Sequence, residues 1–180
     1  MGLRHRRLAR TWGLYAGILL DRQRARFNRW RQATRRVRRP HAAERSFFYG
    51  VNFELSFNAR YWEPTRNTGE IRPIIGARIG PVDLITNPIL DTSFQGLGSL
   101  NFAPASRIAY NFSESWAAAV EHYADFGGLS HFEPLTRQYQ TLFAVIDYRG
   151  EPVNVEFGIG HGFTAASDAL ILKLIVSRNF

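Results

Sequence analysis

Few residues of this chain have the types and spacing to do chemistry. His161, Thr164 and Ser167 stand close enough together to invite a nucleophile-and-base reading, which needs a hydroxyl held against an imidazole and a third group orienting the ring. Glu121 and His122, with His131 further on, are ligand types for a divalent metal. Neither set has a spacing that a known arrangement requires. The chain has no Cys, so thiolate ligands and disulfides are excluded. The glycine-rich GIGHG at 158–162 lacks the following helix that a phosphate loop needs, and glycines in a strand ease curvature instead. The expectation is no catalytic residue, no cofactor and no metal, hence not an enzyme.

A larger set of polar residues recurs at every second position: Glu54, Glu70, Arg72, Arg78, Asp83, Arg107, Glu121, Glu156 and Lys173. Mixed charges at that period line one face of a strand, and in a small barrel they fill the lumen and pair across it. Ala103, Ala105, Gly158, Gly160 and Gly162, on the same face, leave room for the long side chains or for a narrow passage.

The elements that must position this face begin at Ser46. In FFYGVNFELSFN, Phe47, Tyr49, Val51, Phe53, Leu55 and Phe57 share one face and Gly50, Asn52, Glu54, Ser56 and Asn58 the other. The same alternation runs through GEIRPIIGARI, VDLITNPILD, LNFAPASRIAYN and VNVEFGIGHGF, and less cleanly through SWAAAVEHYAD and RQYQTLFAVIDY. His122 and His161 fall on the apolar row. With the last segment, where Leu170, Leu172, Leu174 and Val176 alternate, the count is about eight strands. Tight connections at Gly80-Pro81, Phe112-Ser113-Glu114 and Arg149-Gly150-Glu151-Pro152 alternate with longer ones, ARYWEPTRNT, TSFQGLG, FGGLSHFEPLT and TAASD. In an up-and-down antiparallel barrel that places turns at one rim and loops at the other, as in transmembrane β-barrels. The fold expected is therefore all-β, with the terminal Phe180 in an aromatic girdle and the last strand pairing with the first, since lipid tolerates no open edge.

The final LILKLIVSRNF, with Leu172, Leu174, Val176 and Phe180, resembles the C-terminal assembly signal of bacterial outer-membrane β-barrel proteins. Residues 47–180 as a whole look like an uncharacterised proteobacterial outer-membrane barrel family, on the stretches YGVNFELSFNARYWEPT, RPIIGARIGPVDLITNPILD and EPVNVEFGIGHGF. The resemblance implies a bacterial outer-membrane location, outer-membrane lipid and the β-barrel assembly machinery as partners, and a structural or passive small-solute channel role. Arg178 departs from the apolar row, where it can snorkel at an interface. The resemblance also implies a secretory signal and further N-terminal strands, so that this chain reads as the C-terminal part of a longer barrel joined to a basic leader.

That leader, residues 1–45, holds 14 of the 23 basic side chains and two of the 15 acids, so the net charge of +8 belongs to it and the rest is acidic. Its apolar run, Trp12 to Leu20, is followed by Asp21-Arg22-Gln23-Arg24 where a cleavage site would stand, so it is not read as a signal peptide. It is expected to be a solvated arm, helical or without fixed structure, and no nucleic-acid partner is expected because no recognition motif accompanies the arginines. No run reaches the length of a membrane-spanning helix. Two rival readings follow from the same residues: a soluble β-barrel binding an apolar ligand, in which the apolar row points inward, and a lipid-modifying outer-membrane enzyme, in which a His and a Ser or carboxylate converge at one rim.

Overall fold

A computed structural model describes residues 31–38 by their backbone, and 46–57 and 67–178 in full. The rest of the leader, the loop positions 58–66 and residues 179–180, Phe180 among them, lie outside the described residues. Among the described residues there are eleven strand segments: β1 (Arg31–Arg38), β2 (Phe47–Phe57), β3 (Asn67–Ile79), β4 (Val82–Asn87), β5 (Leu90–Thr92), β6 (Leu100–Phe102), β7 (Ala105–Asn111), β8 (Trp116–Asp125), β9 (Tyr139–Arg149), β10 (Val153–Gly162) and β11 (Ile171–Arg178). Among the described residues the only helical piece is a 3-10 turn, Leu97–Ser99.

All eight strands expected from alternation form. β4 and β5 are one strand interrupted at Pro88, and β6 and β7 one strand interrupted at Pro104, because proline has no N–H to give the ladder. The register is continuous across both gaps: Ile75 opposes Thr86 and Ile71 opposes Leu90, while Leu90 opposes Phe102 and Asn87 opposes Ala105. The sheet order is β1-β2-β3-β4-β7-β8-β9-β10-β11, every neighbour antiparallel. Short turns join β3 to β4, β7 to β8 and β9 to β10. At the first, Gly80 has φ 57, a left-handed conformation open to glycine at little cost. At the second, the Ser113 hydroxyl accepts the Trp116 N–H at 2.9 Å.

Two expectations need correction. The segment Arg31–Arg38, read as helical or without fixed structure, is a strand paired along β2. Arginine is a good helix former, but the open edge of β2 offers a row of backbone partners, and pairing overrides propensity. Second, the sheet is not closed: among the described residues β1 and β11 are its two edges. β1 occupies the edge of β2 that β11 would need to close the eight expected strands.

The sheet is nevertheless strongly curled. The Lys173 ammonium on β11 meets Glu121 on β8, three strands away, and Arg107 on β7 reaches Glu156 on β10 at 3.7 Å. At about 4.8 Å per strand, these side chains could not span a flat sheet. The polar row is therefore on the inside of the curve. Leu172, Leu174 and Val176 are 58%, 65% and 60% exposed, whereas Lys173 between them is 5% exposed. The same polarity holds on β2, where Phe53, Leu55 and Phe57 are exposed and Asn52 is buried. A small apolar patch, Ala109, Ala119, Phe143, Val145 and Ile171, shares the inner face with the charges.

Glycines on that face make room for it. A Cβ on Gly160 would lie 2.5 Å from the Phe143 ring, and one on Gly158 would lie 3.2 Å from the Lys173 side chain. The Gly160→Ala variant is expected to lose about 1–3 kcal/mol through overpacking, read as a lower urea midpoint at unchanged slope. Gly98→Ala, where a Cβ meets nothing within 4 Å, is expected to leave the midpoint in place.

Candidate functional site

One connected polar network occupies the inner face from β3 to β11. At its centre the Arg107 guanidinium donates to Glu121 on β8 and Asp147 on β9. Lys173 donates to Glu121 and pairs with Glu156 on β10 at 2.6 Å. Tyr123 donates its hydroxyl proton to Glu121 at 2.9 Å. From Asp147 the network continues to Arg149 at 3.4 Å, whose guanidinium donates to Asn111 Oδ1 at 2.7 Å. Asn111 in turn donates to Asp83 at 2.9 Å, and Asp83 pairs with Arg78 at 3.2 Å. Arg78 also stacks over the Phe48 ring of β2, 4.8 Å from its centroid.

Four cations, Arg78, Arg107, Arg149 and Lys173, thus face four carboxylates, Asp83, Glu121, Asp147 and Glu156. The reason for the pairing is burial: a charge removed from water is tolerated only with partners that replace its hydration. Glu121, Asp147, Glu156 and Lys173 are all buried. The ammonium of Lys173 also lies over the rings of Phe143 and Tyr123, at 5.3 and 5.6 Å from their centroids, within cation–π range.

The nine residues predicted to line the lumen divide into two groups. Arg78, Asp83, Arg107, Glu121, Glu156 and Lys173 meet in the network above. Glu54, Glu70 and Arg72 form a second cluster on β2 and β3, where Arg72 pairs with Glu70 at 2.7 Å and Glu54 stands directly opposite Glu70. Asp91 opposes Glu70 on its other side.

Alternation marks Asn111 only as a polar-face residue of its strand, and Asp147, Arg149 and Tyr123 were missed. Asp147 follows Thr141, Phe143 and Val145 on the inner parity of β9, so apolar residues on both faces hid the alternation. The partial signal was a charged Asp147 two places after Val145 in an otherwise apolar run.

The Thr164 and Ser167 hydroxyls meet at 2.7 Å, but His161 turns elsewhere. Ser167 Oγ donates to the Gln140 carbonyl at 3.0 Å and accepts the Gln140 N–H at 2.8 Å, while the Thr164 hydroxyl donates to the Gln138 carbonyl at 2.7 Å. Both hydroxyls therefore pin the loop after β10 onto β9. His161 is bound instead to the Ala169 carbonyl at 2.6 Å. His122 meets the Gln140 side chain at 2.7 Å. Among the described residues no group of three or more His, Asp or Glu is arranged to hold a metal ion.

The outer face has its own relief. Trp116, Ile146, Tyr148, Val155 and Phe157 line an open apolar groove of about 430 Å³ near the short turns. The Trp116 and Tyr148 rings meet there at 4.9 Å. No protein-family model, no curated protein and no solved structure matches this chain.

Removing one partner of a buried, hydrogen-bonded ion cluster leaves the others uncompensated and costs about 3–5 kcal/mol. Lys173→Met is expected to lose stability on that scale in a urea titration. Adding Glu156→Gln is expected to restore part of it, a coupling that a double-mutant cycle measures directly.

Proposed function

We propose that this chain forms a lipid-embedded β-barrel of a bacterial outer membrane, with a structural role and no catalytic one. The observation that carries the reading is the inverted polarity of the sheet: charges are buried on the inner face, while Phe, Tyr, Leu and Ile rows are exposed on the outer face of strands from β2 to β11. A soluble monomer rarely exposes contiguous apolar surface on this scale, and hydrocarbon is the solvent that suits such a surface. A barrel that holds an apolar ligand requires the opposite orientation of the two rows.

Several further features support the reading. The Trp116 and Tyr148 rings lie at the turn end of the outer face, the level at which aromatic side chains meet an interface. Arg178 stands at the end of the outer row of β11, where its head can reach headgroups. The paired network fills the inner face, and a small barrel with a filled interior leaves little passage. A structural role thus accounts for more of the interior than conduction does.

Ile159→Arg on the outer face of β10 separates this reading from a soluble fold. In a membrane the substitution is expected to cost about 2–4 kcal/mol near the midplane, read as a lower urea midpoint for the full chain refolded into phosphatidylcholine vesicles. A full chain that never enters the vesicles, or one whose vesicle-embedded form carries Ile159→Arg within about 0.5 kcal/mol of the parent, overturns the proposal.

A further inference from the structure

β1 and β11 are the two edges of the sheet, and a curled sheet in lipid cannot keep them open, because unpaired N–H and C=O groups have no water to bond. Strand direction decides which closure is available. Neighbours are antiparallel throughout the order β1-β2-β3-β4-β7-β8-β9-β10-β11, so β1 and β11 run the same way, whereas β2 and β11 run in opposite directions. Closing β11 on β1 would require a parallel pair. Closing β11 on β2 keeps every pair antiparallel.

The register of β1 points the same way. Arg31 stands opposite Phe57 and Arg35 opposite Phe53. Directly opposed residues share a face, and Phe53 and Phe57 are on the exposed apolar row. In water, arginines on an edge strand guard it against further pairing. Against hydrocarbon they are among the costliest residues to place. The row Leu172, Leu174 and Val176 on β11 would instead continue the apolar belt of β2 without a charge until Arg178.

The ion network described above runs from β3 to β11, and Arg78 stacks over the Phe48 ring of β2.

We infer that β1 is an exchangeable guard on the edge of β2, and that on entry into lipid β11 replaces it, closing the strands from β2 to β11 into an eight-stranded barrel. This rests on the membrane reading above. The arrangement would hold the apolar strands in an open, edge-protected form until a membrane is met.

The absence of Cys makes the exchange directly testable in the full chain. Arg36 and Asn52 are directly opposed on β1 and β2, so the variant carrying Arg36→Cys and Asn52→Cys is expected to form a disulfide in lipid-free buffer. Oxidised, it is expected to lose the heat-modifiable gel migration that the reduced chain acquires in phosphatidylcholine vesicles, and reductant is expected to restore it. In a second series, Ser177→Cys on β11 is combined in turn with Gly50→Cys, Asn52→Cys, Glu54→Cys and Ser56→Cys on β2. One of these pairs is expected to cross-link in vesicles and none in buffer. An oxidised β1–β2 variant that enters vesicles as readily as the reduced one, failure of that disulfide to form in buffer, or no β2–β11 cross-link in vesicles overturns the inference while leaving the membrane reading standing. A reduced chain that never enters vesicles overturns that reading first, and this inference with it.

Discussion

The structure depends on the burial of charge at one point, where Arg107, Glu121, Asp147, Glu156 and Lys173 come together from five strands. None of these groups can leave water without the others. Arg107 serves two carboxylates on adjacent strands, and Lys173 bridges Glu121 and Glu156 across three strand spacings. Satisfying them forces the sheet to roll, because a flat sheet would hold the partners out of reach. Curvature is thus a consequence of electrostatics as much as of strand twist, and the small residues Ala109, Ala119, Gly158 and Gly160 are the space the long side chains need.

Rolling in that direction places the apolar rows outside. The usual driving force for folding in water is then missing from most of the surface, since Phe, Leu and Ile side chains on the outer face gain nothing by facing solvent. Ladder hydrogen bonds, the network and a small inner apolar patch around Phe143 hold the curl. Burial of the outer rows would have to come from a surrounding medium, and the proposed bilayer is one that would supply it. This links the polarity of the sheet to its proposed location without appeal to any catalytic group. The hydroxyls of Thr164 and Ser167 and the imidazole of His161 are tied up in holding loops against strands, and that of His122 meets Gln140 on the neighbouring strand.

The edges set a second constraint. A nine-strand antiparallel order has edges that run in the same direction, which does not close by ordinary pairing. With β1 set aside, the remaining eight strands have matching polarity. The arginines that make β1 a poor membrane strand make it a suitable cover for an edge in water, and the same composition explains why the segment resembles a helical or unstructured arm when read alone.

The sequence by itself determined the strands, their two faces and the placement of turns and loops, because period-two alternation and Gly, Pro and Ser turn chemistry are local properties. It also placed six of the nine proposed lining residues in what proved to be one network, since charge on an inner parity has few other uses. It did not reveal Asp147, whose strand carries Phe143 and Val145 on the same face, nor the separation of Glu54, Glu70 and Arg72 into their own cluster, nor the strand at Arg31–Arg38. Those were decided by tertiary structure. Which charges meet depends on how tightly the sheet rolls, and whether an arginine-rich segment becomes a strand depends on an unpaired edge being offered to it. Both are relations between distant parts of the chain, and a local pattern carries no record of them.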